Sequence, residues 1–263
     1  MFRKQDVRRP SGQGAWLYTK KAERGRGAER DFPRWGKSGV PARNKTRQTL
    51  KGKIIMRGKF ITFEGSEGCG KSTQSRMLFD YLKRKGKKVV YLREPGGVKL
   101  SERIRELLLN PESKISPQAE TLLYMAARAQ VVEDVIKPAL LKGKIVVCDR
   151  FLDSTVAYQG YGLGMDIRMI MIMGKFATLG VSPYLTIFLD LPVKKGLKHR
   201  LLTKDRIEQR SLVYHQRVRN GYLKLARKEP GRIKIIKVEQ DKKVTQSNIR
   251  ILVDKLLVNR NVF

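Results

Sequence analysis

Eight consecutive residues carry the clearest chemistry in this chain. Gly65-Ser66-Glu67-Gly68-Cys69-Gly70-Lys71-Ser72 fits the pattern Gly-x4-Gly-Lys-Ser/Thr, with Thr73 completing the stretch. Glycines at this spacing let the backbone curl until its N–H groups point inward at phosphate oxygens. The helix that follows adds the positive end of its dipole. In such a loop Lys71 bridges the β- and γ-phosphates of ATP, and the Ser72 hydroxyl holds Mg²⁺. The pattern predicts a nucleoside triphosphate site but does not separate kinases from other users of the same loop. The chain has no Asn-Lys-x-Asp signature for guanine. It also lacks the hydrophobic strand ending in Asp-Glu that a helicase would carry.

Other reactive side chains are less informative. His199 and His215 are isolated in the sequence and make no metal constellation. Met165, Met169, Met171 and Met173 cluster on one predicted helix and read as core or subunit-contact residues. Cys69, near a helix N-terminus, is a candidate modifiable thiol whose simpler reading is a small residue that fits. Cys69 and Cys148 are too few for a disulfide scaffold, and a reducing cytosol suits them.

Elements of two periods must position the loop. Lys59–Glu64 reads as a β-strand and Ser72 to Lys85 as a helix. Val89–Leu92, Ile145–Cys148, Leu185–Leu191 and Arg232–Val238 read as further strands. Helical patterns separate them, the longest over 122–141 and the last over about 244–257. Strands alternating with helices predict a parallel sheet covered on both faces. The continuous apolar runs at Ile145–Cys148 and Thr186–Leu189 suit strands buried on both sides. The expected fold is α/β, a three-layer P-loop NTPase fold with a five-stranded parallel sheet flanked by helices and a short lid.

The chain has 263 residues and a formal net charge of +33. The first 55 residues hold 16 Lys/Arg against 4 Asp/Glu and show no sustained period, which predicts disorder there. That stretch reads as a start-site artefact, with translation beginning at Met56. A basic nucleic-acid tail is the competing reading, and its four acids argue against a transit peptide. Residues 1–55 are thus set apart as a basic extension and 56–263 as the kinase-like domain. The charge would steer small anionic substrates. Nucleic acid is not expected as the primary partner. No apolar run approaches the length of a membrane helix.

Beyond the phosphate loop, five segments in order resemble the thymidylate kinase family. They are Phe63-Glu64-Gly65-x-Glu67-Gly68-x-Gly70-Lys71-Ser72-Thr73, Arg93-Glu94-Pro95-Gly96-Gly97, Ala126-Ala127-Arg128-Ala129-Gln130, Asp149-Arg150-Phe151 and Asp205-Arg206-Ile207-Glu208. The resemblance runs from about Lys59 to Leu257. It implies phosphorylation of dTMP to dTDP by ATP with Mg²⁺, in a cytoplasmic homodimer. The alternatives are a kinase of another pyrimidine nucleotide or deoxynucleoside, and a nucleic-acid-binding P-loop ATPase.

The resemblance also implies roles. Arg128 and Arg150 grip the acceptor's phosphate and base, a task suited to the planar guanidinium fork. Ala126 and Ala127 are small and leave room beside Arg128. Tyr124, one turn earlier, stacks on the base. Ser154 and Gln159 lie near the base, and Gln159 offers both a donor and an acceptor. Tyr158 crowds the sugar 2′ position, and Glu67 approaches the 3′-OH. Asp149 joins Ser72 at Mg²⁺, and Glu94 orients the arginine and metal network. Gly68 stands where one branch of the family has an arginine, which shifts that duty to the lid, His199–Arg206. Arg200 and Arg206 are the candidates there.

Overall fold

The computed structural model describes residues 56–198 and 205–258. The basic extension over residues 1–55, together with His199 and Arg200, lies outside them. The strands are β1 (Lys59–Glu64), β2 (Val89–Arg93), β3 (Ile145–Asp149), β4 (Leu185–Asp190) and β5 (Ile233–Lys237). All pair in parallel in the order β2-β3-β1-β4-β5, as the alternating periods predict.

The helices are α1 (Lys71–Arg84), α2 (Lys99–Leu109), α3 (Pro117–Val131), α4 (Lys137–Leu141), α5 (Leu152–Thr155), α6 (Ile167–Ala177), α7 (Val193–Lys198), α8 (Leu212–Lys228) and α9 (Lys242–Val258). The long helix expected over 122–141 begins five residues earlier. Ser116 caps it by accepting the Ala119 N–H at 3.2 Å, and Pro117 sits in its first turn. It then widens into a π-helical turn over Val132–Ile136 before α4, a change that periodicity alone does not reveal.

Alternation along the strands sorts the core onto two faces. Ile61 and Phe63 of β1 meet Leu78 and Leu82 of α1 and Ile249 and Val253 of α9. Phe60 faces the other way, with Val132, Ile136 and Leu140. Phe188 of β4 stacks on Tyr222 of α8 with ring centroids 5.1 Å apart. Each such side chain contributes about 1.5–3 kcal/mol by leaving water.

The strand order also fixes where a ligand can sit. The chain leaves β1 and passes β3 to form β2, whereas it leaves β3 and passes β1 to form β4. The connections diverge between β1 and β3, so a crevice opens at the carboxyl ends of these two strands. The phosphate loop follows β1, and the turn after Asp149 follows β3.

Candidate active site

The loop between β1 and α1 depends on glycines at defined points. Gly70 ends it in the left-handed region, with φ 85°, and starts α1. Gly68 has φ 70°, and a Cβ there would lie 1.9 Å from the carbonyl oxygen of Gly196 in α7. The contact is reciprocal, because a Cβ on Gly196 would lie 2.3 Å from the Glu67 carbonyl oxygen. The glycine at 68 is therefore required by backbone packing as well as by φ. Lys71 folds back into the loop, its Nζ donating to Ser66 O at 2.7 Å and lying 3.7 Å from Cys69 Sγ. Burial pushes the Cys69 thiol up, which argues against a reactive thiolate.

Asp149, at the end of β3, reaches α1 across the crevice. Ser72 Oγ donates to its Oδ2 at 2.5 Å. Its Oδ1 is buried and has no partner among the described residues. A hydroxyl beside a carboxylate with a free oxygen suits Mg²⁺, which keeps most of its waters and takes one or two protein oxygens.

Arg150 holds φ 74°, uncommon for a residue with a side chain. The surroundings over-determine it. Arg150 N donates to Phe63 O at 2.9 Å, and Phe151 N donates to Glu64 Oε1 at 2.8 Å. Glu64 also accepts from Ser154 Oγ at 2.6 Å and Tyr222 OH at 2.7 Å, joining β1, the turn after β3 and α8. Burial and nearby Asp153 push the Glu64 carboxyl up to about 7, against the pull of Ser154, Arg150 and Tyr222. So placed, the Arg150 guanidinium donates to Glu67 Oε1 at 2.6 Å and Tyr158 OH at 3.0 Å. Tyr158 OH donates in turn to Glu67 Oε1 at 2.7 Å.

On the opposite wall Arg128 is buried and pairs with Glu94, Nε to Oε2, at 2.8 Å. It also donates to Thr155 Oγ1 and to the Phe151 carbonyl, each at 3.0 Å. Burial pushes the Glu94 carboxyl up against the pull of Arg128. One cavity of 330 Å³, within the usual range for small-ligand sites, unites these groups. Lys71, Tyr124, Arg128, Arg150, Tyr158 and Gln159 all line it.

The match to known proteins agrees with this geometry. A family model described as thymidylate kinase matches residues 63–249. The chain belongs to the thymidylate kinase family. Thymidylate kinase of Geotalea daltonii is 53% identical over 189 residues, covering 68% of this chain and 88% of that one. The enzyme of Kosmotoga olearia is 51% identical over 179 residues, covering 67% and 86%. A crystal structure of thymidylate kinase from Ehrlichia chaffeensis has a TM-score of 0.62 at 34% identity, covering 76% of this chain and 98% of that one.

Three expectations of the sequence reading change once the side chains are placed. Arg206 does not line the cavity. Its Nε donates to Leu108 O at 2.9 Å and its NH2 to Glu120 Oε2 at 2.6 Å, which makes it a strut at the base of the lid segment. Arg200, the other lid candidate, lies outside the described residues. The room beside Arg128 does not come from its alanine neighbours either: Ala126 is exposed, and Ala127 packs against Ile104 and Leu108. Gln159 spends one donor inside the protein, on Glu120.

Arg105 and Thr155 also line the cavity and escaped the sequence reading, and Arg93 and Glu208, named there within motifs but given no role, line it too. Arg105 follows the apolar Ile104 in α2 and reads as a surface residue. In the fold its NH1 donates to Pro95 O at 2.9 Å, and burial beside Arg93 lowers its pKa.

Proposed function

We propose that this protein transfers the γ-phosphoryl group of ATP to dTMP, giving dTDP and ADP on the way to dTTP. The observation that carries this reading is the single cavity in which a phosphate loop faces a wall of arginine, tyrosine and glutamine. Membership in the thymidylate kinase family supports the acceptor. An oxygen of the acceptor phosphate attacks the γ-phosphorus in line, and the bond to the β,γ-bridging oxygen breaks. A phosphomonoester is already largely ionised at neutral pH, so no strong general base is required.

The backbone of residues 65–73 cradles the donor phosphates, and Lys71 follows the charge as it moves toward the bridging oxygen. Ser72 and Asp149 would hold Mg²⁺, which when bound neutralises β- and γ-phosphate oxygens. Arg150 and Arg105 hold the acceptor phosphate. Glu67 meets the sugar 3′-OH, and Tyr158 excludes a 2′-OH. Tyr124 stacks on the base, with Arg128, Ser154 and Gln159 at its edges. Glu94 keeps Arg128 in place. The second catalytic arginine is Arg200.

Turnover on dTMP, dUMP, UMP, CMP and thymidine tests the reading, run on the full chain and on residues 56–263. dTMP is expected to lead, with equal rates for the two chain lengths. A preference for UMP or thymidine would overturn the acceptor assignment. A dead 56–263 fragment would overturn the reading of residues 1–55 as a start-site artefact.

We also propose a cytoplasmic homodimer. No helix among the described residues is long and apolar enough to cross a membrane. In α6, Met169, Ile172 and Phe176 are exposed, the last two at 66% and 84%, and Leu122 of α3 is exposed as well. An apolar patch of this kind suits a second copy of the chain. Met165 and Met173 instead pack on the core, one of the two roles expected of the methionine cluster. Sedimentation of Phe176→Glu should show a monomer where the parent is a dimer, and an unshifted dimer would remove α6 from the interface.

A further inference from the structure

Glu120 is fully buried on α3 and lies one and two turns before Tyr124 and Arg128, so the three share a face. It does not line the cavity itself. Its Oε2 accepts from Arg206 at 2.6 Å and from Arg210 at 2.5 Å. Its Oε1 accepts from Gln159 Nε2 at 2.8 Å. Arg206 is itself fixed by the Leu108 carbonyl, and Arg210 by Tyr214 OH at 2.7 Å.

A carboxylate clamped between two guanidiniums can only accept hydrogen bonds. It therefore takes the NH₂ end of the Gln159 amide. The carbonyl end, Oε1, has no donor among the described residues, and Gln159 lines the cavity. We propose that Glu120 is a positioning residue that fixes the amide sense of Gln159, so that the acceptor site offers the nucleobase a carbonyl oxygen and selects pyrimidines bearing an N3–H over cytosine. The inference rests on the acceptor site proposed above.

Thymine and uracil carry a hydrogen on N3, which can donate to Gln159 Oε1, and the second Gln159 N–H can reach a base carbonyl. Cytosine has a bare acceptor at N3 and an amino group beside it. To pair with cytosine the amide would have to turn over. Its oxygen would then face the Glu120 carboxylate, acceptor against acceptor, with one buried donor bond lost. A glutamine without such a neighbour turns over freely and accepts either base edge.

The test compares kcat/KM for dTMP and dCMP in the wild type, Glu120→Gln, Gln159→Met and the double variant. Glutamine at 120 can donate to Gln159 Oε1 and so permits the turned amide. The dTMP:dCMP preference should fall about tenfold or more in Glu120→Gln, the scale of one unpaired buried group, with KM for ATP nearly unchanged. In the Gln159→Met background Glu120→Gln should leave the preference unchanged, because the residue it acts through is gone. A purely structural role for Glu120 would lower both acceptors alike.

A preference in Glu120→Gln within about twofold of wild type, or an equal shift in the Gln159→Met background, overturns the proposal. A wild type that does not phosphorylate dTMP overturns the acceptor site and this inference together. A wild type that prefers dTMP beside an unmoved Glu120→Gln overturns only the role of Glu120. Should Glu120→Gln lose its cooperative melt, Glu120→Asp retains the charge, sets it back by one methylene and is judged by the same ratio.

Discussion

Lys71→Met lowers kcat by at least about 10²- to 10³-fold at saturating ATP, the range seen when one donor aimed at developing charge is removed. The fold should survive. Lys71 is buried, and in this structure its ammonium group hydrogen-bonds to one backbone carbonyl, that of Ser66. Methionine has nearly the same length and no charge to bury. The lost hydrogen bond costs about 1 kcal/mol, offset in part by relief of desolvation. A melting temperature within several degrees of the parent is therefore expected. Turnover near the parent rate would mean that the phosphate loop is not the site of the chemistry.

Arg150→Met should act on the acceptor side with comparable force. The guanidinium touches Glu67 and Tyr158 while facing the cavity, so its loss removes an acceptor-phosphate donor and the Arg150–Glu67 ion pair in one step. kcat/KM for dTMP is expected to fall about 10³-fold, while KM for ATP moves far less. Stability should fall by about 1–3 kcal/mol. That is below the cost of breaking a fully buried pair because Arg150 and Glu67 retain some exposure. Arg150→Lys should recover little, since one ammonium cannot span the partners of a planar fork. Equal losses for ATP and dTMP would contradict the division of the cavity into donor and acceptor walls.

The two variants differ in how readily the residues could be read from sequence. Lys71 sits in a local pattern: its role follows from glycine spacing within eight residues and from a strand before and a helix after. The sheet was equally legible, because continuous apolar runs leave few alternatives to buried parallel strands. Arg150 needed the family resemblance, since nothing in Asp-Arg-Phe alone requires a left-handed arginine. Arg105 and the Glu120–Gln159 pair were not legible at all. Their positions depend on how α2 packs on α3, and on the Val156–Gly162 turn that presents Gln159 to Glu120. The placement of Arg206 was hidden for the same reason: a lysine- and arginine-rich segment looks uniform until one member finds a buried carboxylate 86 positions away.

The meeting of Gly68 and Gly196 bears on how such an enzyme can change over generations. Each occupies the space where the other's side chain would start. An arginine at 68 could not be accommodated while α7 stays docked, yet α7 leads into the segment that holds Arg200. Carrying a guanidinium at residue 68 and keeping α7 docked are therefore rival arrangements in this backbone. A lineage passing from one to the other would have to withdraw the chain around 193–198 as it changed residue 68. The first step taken alone would disturb the existing arrangement before the new one could work.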